Sequence, residues 1–438
     1  MAGLILAAPA SGSGKTVIAA ALLRHLRERG IRVAAAKCGP DYIDPTFHAL
    51  ASGAPSVNLD PWAMRAATLA GLVAGLERSA ELVVCEGVMG LFDGAGPDGE
   101  AGSTAALARA TGWPVVLVVD AGGQGASVAA LVAGFARHDP EMPIAGVILN
   151  RVASPRHQAL LTDAIVRHLP ELPVLGAVPP DPAMTVASRH LGLVPAGEVA
   201  ALDATLDAAA RHIAAAIDIG RLLAVARPSH CRAAVAPPGI PPLGQHIAVA
   251  RDDAFLFNYE ATLAAWRRAG AAISFFSPLA DEPPDRGADA IYLPGGYPEL
   301  HAAKIAAARR FLAALGTAAA SGKPVYGECG GYMVLGETLI DGDGQAHRMA
   351  GLLPLTTSFA ARRRHLGYRA VRLLASGPLG AEGSRFRGHE FHYASIIEEK
   401  GADPLLVVAD STGGDLGRCG LRRGTVFGSF IHLIDRED

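Results

Sequence analysis

The sequence predicts an α/β protein with two domains, each built on a mostly parallel sheet with helices on both faces. Three observations support this fold class. Short, fully apolar runs alternate with longer amphipathic stretches through the first half of the chain. A segment rich in proline and glycine, residues 236–244, then interrupts the pattern. After it, the same alternation resumes.

The first half contains six apolar runs that predict buried strands, at residues 4–8, 32–37, 82–86, 114–119, 144–149 and 174–177. Helical periodicity fills the intervals between them, for example at residues 15–29, 127–137 and 155–168. Strands that are apolar throughout and are joined by helices form parallel sheets covered on both faces. This half is therefore expected to be a complete α/β domain.

The break at residues 236–244 cannot continue a helix or a central strand, because its prolines lack backbone donors. We place a first domain at residues 1–228, a linker at residues 229–244 and a second domain at residues 245–438. Strands are predicted in the second domain at residues 247–250, 273–276, 290–293 and 324–326.

The composition is that of a globular protein, since half of its 438 residues are hydrophobic and only 18% are charged. A formal net charge of −3 gives no reason to expect a nucleic acid or a membrane as partner. The five cysteines form no CxxC pair, so we predict a reducing, cytoplasmic location. The apolar start is interpreted as a first strand and not as a signal peptide, because it lacks a basic flank and leads into a glycine-rich loop.

A phosphate-binding loop is predicted at residues 9–16, PASGSGKT, between the first strand and the first helix. Backbone amides at such a helix N-terminus cradle phosphates, a lysine reaches the terminal phosphates and a hydroxyl binds the metal. Pro9 stands where the usual loop has glycine, so the loop is a variant. Asn150, after the fifth predicted strand, could read the nucleotide base or occupy a turn. The residues assigned to ATP are Gly12, Ser13, Gly14, Lys15, Thr16 and Asn150.

Four acidic residues follow the second and third predicted strands. Because the carboxyl ends of parallel strands line the ligand crevice, we expect these acids near the phosphates. Asp44 and Glu86, together with Thr16, are assigned to Mg²⁺, which prefers oxygen ligands. Asp41 and Asp93 are assigned to the second substrate. Each acid could instead be a turn or helix-capping residue.

Cys329 is predicted to be a nucleophile. It lies in a G-x-C-x-G sequence, residues 327–331, between a predicted strand and a helix. Such a tight turn exposes the side chain, and the helix N-terminus favours the thiolate. A lone cysteine is more often buried and structural. The flanking glycines favour catalysis here, and the other four cysteines lack them.

His432 is the candidate base for this cysteine. It closes a late apolar strand, where a histidine alone would be interpreted as part of the core. Gly295 and Gly296 form a turn after another predicted strand. Their amides, with that of Gly330, are expected to form an oxyanion hole for an acyl-enzyme reaction.

Taken together, these motifs resemble those of the glutamine-dependent amidotransferases of cobyrinic acid a,c-diamide synthesis. The resemblance covers essentially the whole chain. The first half is similar to dethiobiotin synthetase, which has a P-loop NTPase-like fold, and the second to class I glutamine amidotransferases, which have a flavodoxin-like fold. The resemblance rests on residues 8–16, 37–45, 86–94, 293–299 and 387–393.

The resemblance implies ATP- and Mg²⁺-dependent amidation of the a and c acetates of a corrin-ring acid in cobalamin biosynthesis. Glutamine would supply ammonia at Cys329 and His432. The substrate would be hydrogenobyrinic acid, cobyrinic acid or nickel sirohydrochlorin, with the first favoured by composition, and a homodimer is a family expectation. Many class I relatives carry a glutamate two residues after the histidine, but Ile434 stands here, so a Cys–His dyad is expected.

Two further segments carry weaker signals. A strand is predicted at residues 386–393, which places Glu390 and His392 on one face and His389 on the other. The spacing differs from that of a zinc-binding helix, so a structural role is favoured over a metal. Residues 362–364 are three arginines that could bind substrate carboxylates or form a solvated loop.

The sequence is also compatible with two alternative functions. The first is a ParA/MinD-like ATPase with a non-catalytic second domain. Those proteins carry a signature lysine five residues before the loop lysine, where this chain has Ala10. The second is the same chemistry on another carboxylate, as in cobyric acid or cytidine triphosphate synthases. The missing glutamate argues against the latter enzyme, and the compact length argues against both.

Overall fold

The computed structural model describes residues 2–96, 98–184, 188–189, 192–193, 201–232 and 238–437. Its internal contacts divide the chain into two compact units. The first comprises Met1–Trp62 and Ala66–Val235, and the second comprises Ala63–Arg65 and Ala236–Asp438. Part of the predicted linker, residues 233–237, lies outside the described residues, and the predicted domain limits stay a prediction.

The first unit is built on a parallel seven-stranded sheet in the order β3-β2-β4-β1-β5-β6-β7. The strands are almost entirely buried, as expected for a sheet covered on both faces. A separate two-stranded ribbon pairs β8 with β9. The strands of this unit are β1 (Ala2–Ala7), β2 (Val33–Cys38), β3 (Val57–Leu59), β4 (Leu82–Glu86), β5 (Val115–Asp120), β6 (Ile144–Asn150), β7 (Val174–Val178), β8 (Ser188–Arg189) and β9 (Gly192–Leu193).

Eight described helices accompany this sheet, and local residues mark where several of them begin. Ser103 and Ser154 accept hydrogen bonds from the first-turn amides of Ala106 and His157, which stabilises two helix N-termini. The helices are α1 (Lys15–Glu28), α2 (Asp44–Ser52), α3 (Ala66–Ser79), α4 (Thr104–Thr111), α5 (Val128–His138), α6 (Pro155–His168), α7 (Leu202–Ala216) and α8 (Ile219–Val225).

The second unit contains a ten-stranded sheet in the order β11-β10-β12-β13-β22-β21-β20-β17-β18-β23 and a four-stranded sheet in the order β15-β14-β16-β19. Its strands are β10 (His246–Ala250), β11 (Ala272–Phe276), β12 (Ala290–Leu293), β13 (Val325–Glu328), β14 (Thr338–Ile340), β15 (Ala346–Arg348), β16 (Leu355–Ser358), β17 (His365–Leu373), β18 (Arg385–His392), β19 (Ser395–Glu399), β20 (Asp403–Asp410), β21 (Asp415–Arg423), β22 (Val426–Ser429) and β23 (Ile431–Arg436). Its helices are α9 (Glu260–Arg268), α10 (Ala302–Ala307), α11 (Arg309–Ala320) and α12 (Gly330–Leu335).

The ten-stranded sheet changes from parallel to antiparallel pairing at β22. The five strands from β11 to β22 are parallel, whereas β21, β20, β17, β18 and β23 pair antiparallel. A mostly parallel sheet was expected, and that expectation holds for the first five strands. The rest differ because β17, β18, β20 and β21 are joined without helical crossovers, and such connections bring strands together antiparallel.

Alternating side chains of the parallel half enter two separate hydrophobic clusters. Ile247 and Val249 pack in one cluster with Trp266, while Ala248 and Ala250 pack in the other with Phe311. This period of two shows that both faces of the sheet are covered. Among the described residues, no helix is both long and apolar enough to cross a membrane.

The predicted elements match the observed ones closely. Strands 82–86 and 290–293 and helix 155–168 agree to the residue, and the other predicted strands and helices agree within two residues at each end. The α/β fold class with two sheet domains is confirmed. The short strand β3 was not predicted, because three residues are too few to show a period.

Candidate active site: a phosphate loop and a cysteine nucleophile

The predicted phosphate loop leads from β1 into α1. Gly12 and Gly14 adopt φ angles of 80° and 92°, the left-handed region that suits glycine. A Cβ on Gly14 would also lie only 2.3 Å from the amide nitrogen of Asn150. That amide donates to the Ser13 carbonyl at 2.9 Å. Asn150 thus supports the loop from β6, and its reading of a base stays a prediction.

Lys15 lies at the first position of α1 and is almost fully buried. Its Nζ donates to the Met89 carbonyl at 2.6 Å, so the ammonium is held at the edge of the loop. Burial lowers the pKa of Lys15 to about 8, although Glu86 opposes the shift. Loss of water around the ammonium favours binding of an anionic ligand such as a phosphate.

Thr16, Asp44 and Glu86, the three predicted metal ligands, come together. The Thr16 hydroxyl donates to Glu86 Oε1 at 2.6 Å and lies 3.5 Å from Asp44 Oδ2. The sheet explains the approach, because Glu86 closes β4 next to β1 and the loop follows β1. Three oxygen donors from three different segments therefore converge beside the phosphate loop.

Sequence reasoning missed two residues of this cluster. Lys37 Nζ lies 2.6 Å from Asp44 Oδ2 and 3.1 Å from Glu86 Oε1, and His48 Nε2 lies 2.8 Å from Glu86 Oε2. All but Asp44 are nearly inaccessible to water. A lysine near the end of an apolar strand, as Lys37 is the last but one residue of β2, was an available signal. A position four residues after Asp44 on the same helix, that of His48, was another.

The charges of this cluster are tightly linked. Burial would raise the pKa of Glu86, but Lys37 and His48 outweigh it and lower that pKa to about 2. Burial and neighbouring Asp41 raise the pKa of Asp44 to about 7. Burial alone would lower the pKa of Lys37, yet Asp44 and Glu86 raise it well above its usual range. The acid pair is thus built to hold a positive charge.

Asp41 and Asp93 are engaged in local turns. Asp41 Oδ1 accepts the backbone amides of Ile43 and Asp44 at 2.8 Å each, just before α2. Asp93 Oδ2 accepts the Gly90 amide at 2.9 Å. These contacts give both carboxylates a structural task. Their binding of a second substrate stays a prediction.

Cys329 lies at the turn between β13 and α12 with φ 47° and ψ −104°, a strained conformation for a non-glycine residue. Its amide donates to the Ser429 carbonyl at 2.8 Å, which ties the turn to β22. The sulfur lies 3.9 Å from the Phe391 carbonyl of β18. The strained backbone is that of a nucleophile turn, but the side chain is only 2% exposed, whereas an exposed side chain was predicted.

His432 and Cys329 meet above Gly295. The point where a Cβ of Gly295 would lie is 2.4 Å from His432 Cε1, 3.2 Å from His432 Nε2 and 3.3 Å from Cys329 Cβ. The imidazole and the cysteine side chain therefore flank the same point, although 103 positions separate them in the printed sequence. The structure thus brings the predicted nucleophile and base together.

The two other predicted glycines also lie at this place. A Cβ on Gly330 would be 3.1 Å from the Gly296 amide nitrogen, so the two backbones are adjacent. A Cβ on Gly296 would be 2.1 Å from the Ala254 carbonyl, which excludes any side chain. Adjacent glycine amides at a helix start suit an oxyanion.

Protonation of the pair differs from the expected thiolate. Burial, with a smaller contribution from Glu299, raises the pKa of the Cys329 thiol well above its usual range. Burial lowers the pKa of His432 to about 3. Both shifts favour the uncharged forms of the pair, a thiol and an imidazole, in the ligand-free protein.

A methyl group at Gly295 is expected to disable this site. Gly295→Ala should lower glutamine hydrolysis about 10²-fold, because the new Cβ displaces the imidazole from the thiol. Rates of glutamate release measure the effect. The matched control is Gly316→Ala on α11, where a Cβ would meet no atom within 4 Å. Equal rates in the two variants would contradict the proposed packing.

The strand predicted at residues 386–393 is β18, observed at Arg385–His392. Glu390 and His392 share a face, with His392 Nε2 3.0 Å from Glu390 Oε1. Among the described residues, they and His365 have ligand atoms close enough for a metal. However, Arg369 Nε donates to Glu390 Oε2 at 2.7 Å, and its charge opposes a cation. This network favours a structural role.

Residues 362–364, the three arginines, form an exposed segment before β17. Arg363 lines a cavity of about 340 Å³, which also contains Arg369, Glu390 and His392. Exposure suits both a solvated loop and a surface that binds carboxylates. The choice between the two interpretations stays open.

Comparisons with known proteins agree with both halves of this geometry. A family model described as CobQ/CobB/MinD/ParA nucleotide binding domain matches residues 4–194. A model described as CobB/CobQ-like glutamine amidotransferase domain matches residues 246–438. The phosphate loop and the acid cluster lie in the first match, and Cys329 and His432 in the second.

Whole-chain relatives point the same way. The hydrogenobyrinate a,c-diamide synthase of Brucella suis biovar 1 (strain 1330) is 54% identical over 437 residues, which are 99% of both chains. Proteins of the same name from Rhizobium meliloti (strain 1021) and Rhodobacter capsulatus are 52% and 54% identical, over 99% of this chain and 99% and 98% of theirs. The chain therefore belongs to the hydrogenobyrinate a,c-diamide synthase family of glutamine-dependent amidotransferases.

Proposed function

We propose that this protein uses ATP and glutamine to convert the a- and c-acetate carboxylates of hydrogenobyrinic acid into amides in cobalamin biosynthesis. The observation that carries the proposal is the presence, in one chain, of a phosphate loop beside converging acids and of a cysteine beside a histidine. The relatives of the same family supply the identity of the substrate.

The second unit would release the nitrogen. Cys329 passes its proton to His432 and attacks the side-chain carboxamide of glutamine, which forms a tetrahedral oxyanion. We propose that the amides of Gly296 and Gly330, whose backbones are adjacent, bind that oxyanion. His432 then returns the proton to the leaving ammonia, and water hydrolyses the thioester to glutamate. Burial favours the uncharged forms of both groups, so we propose that substrate binding precedes the proton transfer.

The first unit would activate the carboxylate. A carboxylate resists amide formation because oxide is a poor leaving group, whereas an acyl phosphate reacts with ammonia. Transfer of the γ-phosphoryl group from ATP to the carboxylate gives this acyl phosphate and ADP. Lys15 and the loop amides would stabilise the phosphate oxygens during transfer. Ammonia then displaces phosphate and the amide remains.

A divalent ion, proposed to be Mg²⁺, would accompany ATP. Thr16, Asp44 and Glu86 fit such an ion, because their oxygens converge and the acid pair already holds the Lys37 ammonium. Bound there, it would neutralise charge on the nucleotide phosphates. Lys37 then has to share the acids or turn toward an anionic group.

Replacing one proposed ligand should change the metal requirement. Asp44→Asn is expected to raise the Mg²⁺ concentration for half-maximal amidation by at least about tenfold, because a carboxylate contact is lost. Titration of activity with MgCl₂ at saturating ATP measures this. The control is Asp163→Asn, an exposed residue on α6. A shift that is the same in both variants would remove Asp44 from the metal site.

The substrate is tested directly by incubation with ATP, glutamine and each tetrapyrrole acid without oxygen. Two successive exchanges of a hydroxyl for an amino group, followed by mass spectrometry, are expected with hydrogenobyrinic acid. Conversion of cobyrinic acid or nickel sirohydrochlorin instead would keep the chemistry but change the substrate. ATP hydrolysis without any amide product would favour the ParA/MinD-like alternative.

The remaining expectations belong to this proposal. A small-molecule enzyme of near-neutral charge has no evident use for nucleic acid or membrane. We propose that it works in the cytoplasm and that it forms a homodimer. Sedimentation at micromolar concentration would test the second point.

A further inference from the structure

We propose that Glu328 is a positioning residue for His432 and holds this base in place relative to the nucleophile Cys329. This inference rests on the proposed glutamine hydrolysis and deepens it. The expected Cys–His dyad would then become a triad, whose third member is a carboxyl group at the end of β13, directly before the nucleophile.

Three hydrogen bonds fix the Glu328 carboxyl group. Oε1 accepts the Tyr326 hydroxyl at 2.6 Å and the Leu433 amide at 3.1 Å, and Oε2 accepts the Tyr292 hydroxyl at 2.7 Å. The residue is 3% exposed, and both tyrosines belong to the hydrophobic cluster on one face of the sheet. A buried carboxyl held by three donors cannot change rotamer at low cost.

The same carboxyl lies beside the catalytic histidine. Glu328 Oε2 is 3.8 Å from His432 Nδ1, while the opposite ring nitrogen, Nε2, is 3.2 Å from the point where a Cβ of Gly295 would lie, and Cys329 Cβ is 3.3 Å from the same point. In histidines that act as a base, a carboxyl group on the Nδ1 side orients the imidazole in this way. At 3.8 Å the two groups are too far apart for a hydrogen bond but close enough for an ion pair once the imidazole is protonated.

Chain connectivity adds a second link. Glu328 immediately precedes Cys329, and its side chain binds the amide of Leu433, which immediately follows His432. One side chain therefore fastens the nucleophile turn to the strand that carries the base. Asp435, the acid nearest in sequence after Ile434, is engaged elsewhere, since its carboxylate is 2.9 Å from Arg65 Nη2.

The carboxyl group of Glu328 can stabilise a charge that forms during the reaction. When the Cys329 proton moves to His432, a buried imidazolium forms, and a nearby carboxylate offsets its charge. Burial raises the pKa of Glu328 to about 7, against the hydrogen bonds from Tyr326, Tyr292 and Leu433. The pKa of Cys329 is raised far above neutrality and that of His432 lowered to about 3. Of these three groups, only Glu328 titrates near pH 7.

The charge of Glu328 decides whether glutamine hydrolysis rises or falls with pH. Below about pH 7 Glu328 is a neutral acid, and above it a carboxylate that stabilises the imidazolium. Glutamine hydrolysis should therefore rise with pH through this range. The groups that face the pair are Tyr292 and Tyr326 around Glu328, and His389, His392 and Glu390 around His432.

The test uses Glu328→Gln in the full chain, because this change keeps the shape and an accepting oxygen but removes the charge. We measure kcat and KM for glutamate release from pH 5.5 to 9. The expected result is a fall in kcat of about 10²-fold at high pH with KM little changed. The acidic limb of the pH profile, which is the rise in rate as pH increases toward about 7, should also be lost. Glu398→Gln, an exposed glutamate on β19, is the control and should retain the limb.

A second variant, Tyr326→Phe, covers the case in which Glu328→Gln fails to fold. Removing a hydrogen bond that lowers the pKa of Glu328 should move the acidic limb to higher pH and not abolish it. An unmoved limb in Tyr326→Phe, or a pH profile of normal shape in Glu328→Gln, would overturn the inference. Absence of glutamine hydrolysis in the unmodified protein would instead refute the proposed function.

Discussion

Cys329→Ala is expected to abolish amidation with glutamine, by at least about 10³-fold, and to leave amidation with added ammonium salts near the unmodified rate. The sulfur is the nucleophile that releases ammonia, so its loss removes the nitrogen supply. The acyl phosphate chemistry depends on residues of the first unit, which the substitution does not touch. Product formation from each nitrogen source, followed by mass spectrometry, measures the two rates.

Cys231→Ala is the matched control for this experiment. Cys231 is a partly exposed thiol of the first unit that contacts the Ala110 carbonyl, so its removal should leave both rates intact. Loss of the ammonium-supported rate in Cys329→Ala alone would show that the cysteine also serves the synthetase reaction. The division of the chemistry between two sites would then fail.

Lys15→Ala is expected to have the converse effect. Amidation should fall by at least about 10²-fold with either nitrogen source, because the charge that stabilises the transferred phosphoryl group is gone. Glutamine hydrolysis should continue, since Cys329 and His432 belong to the second unit. ADP release and glutamate release, recorded in the same sample, separate the two activities.

The comparison for Lys15 is Lys400→Ala. That ammonium is on a side chain that is 80% exposed and lies 3.2 Å from Glu398, so its loss should change neither activity. ADP release at the normal rate in Lys15→Ala would contradict the assignment of the loop to ATP. Together with the cysteine variant, the pair of experiments gives opposite losses that a general loss of stability cannot imitate.

Local patterns explain how much of the fold could be predicted. Strands such as β4 and β12 were found to the residue because each is a short apolar run bounded by polar turns. In the antiparallel half of the second sheet, β18 was predicted, but β17, β20 and β21 were not, because most of their side chains are at least partly exposed and show no clear alternation. The short β3 was missed for lack of length.

The candidate site divides in the same way. Cys329 and Lys15 lie in glycine-flanked turns, and the residues adjacent to them in the sequence indicate their function. Lys37 and His48 act through Glu86, which lies 49 and 38 positions further along the sequence. Local patterns could mark both residues as candidates, but their contacts with Glu86 depend on β2 and β4 lying side by side in the sheet.

The sequence by itself determined the alternation of strands and helices, the phosphate loop, the nucleophile turn and the family. Each depends on residues that are contiguous or that repeat with a helix or strand period. Only the tertiary structure decided that Glu328 lies beside His432, that Lys37 bridges Asp44 and Glu86, and that burial raises the pKa of the Cys329 thiol. Burial and charge neighbours set these properties, and both come from segments brought together by folding.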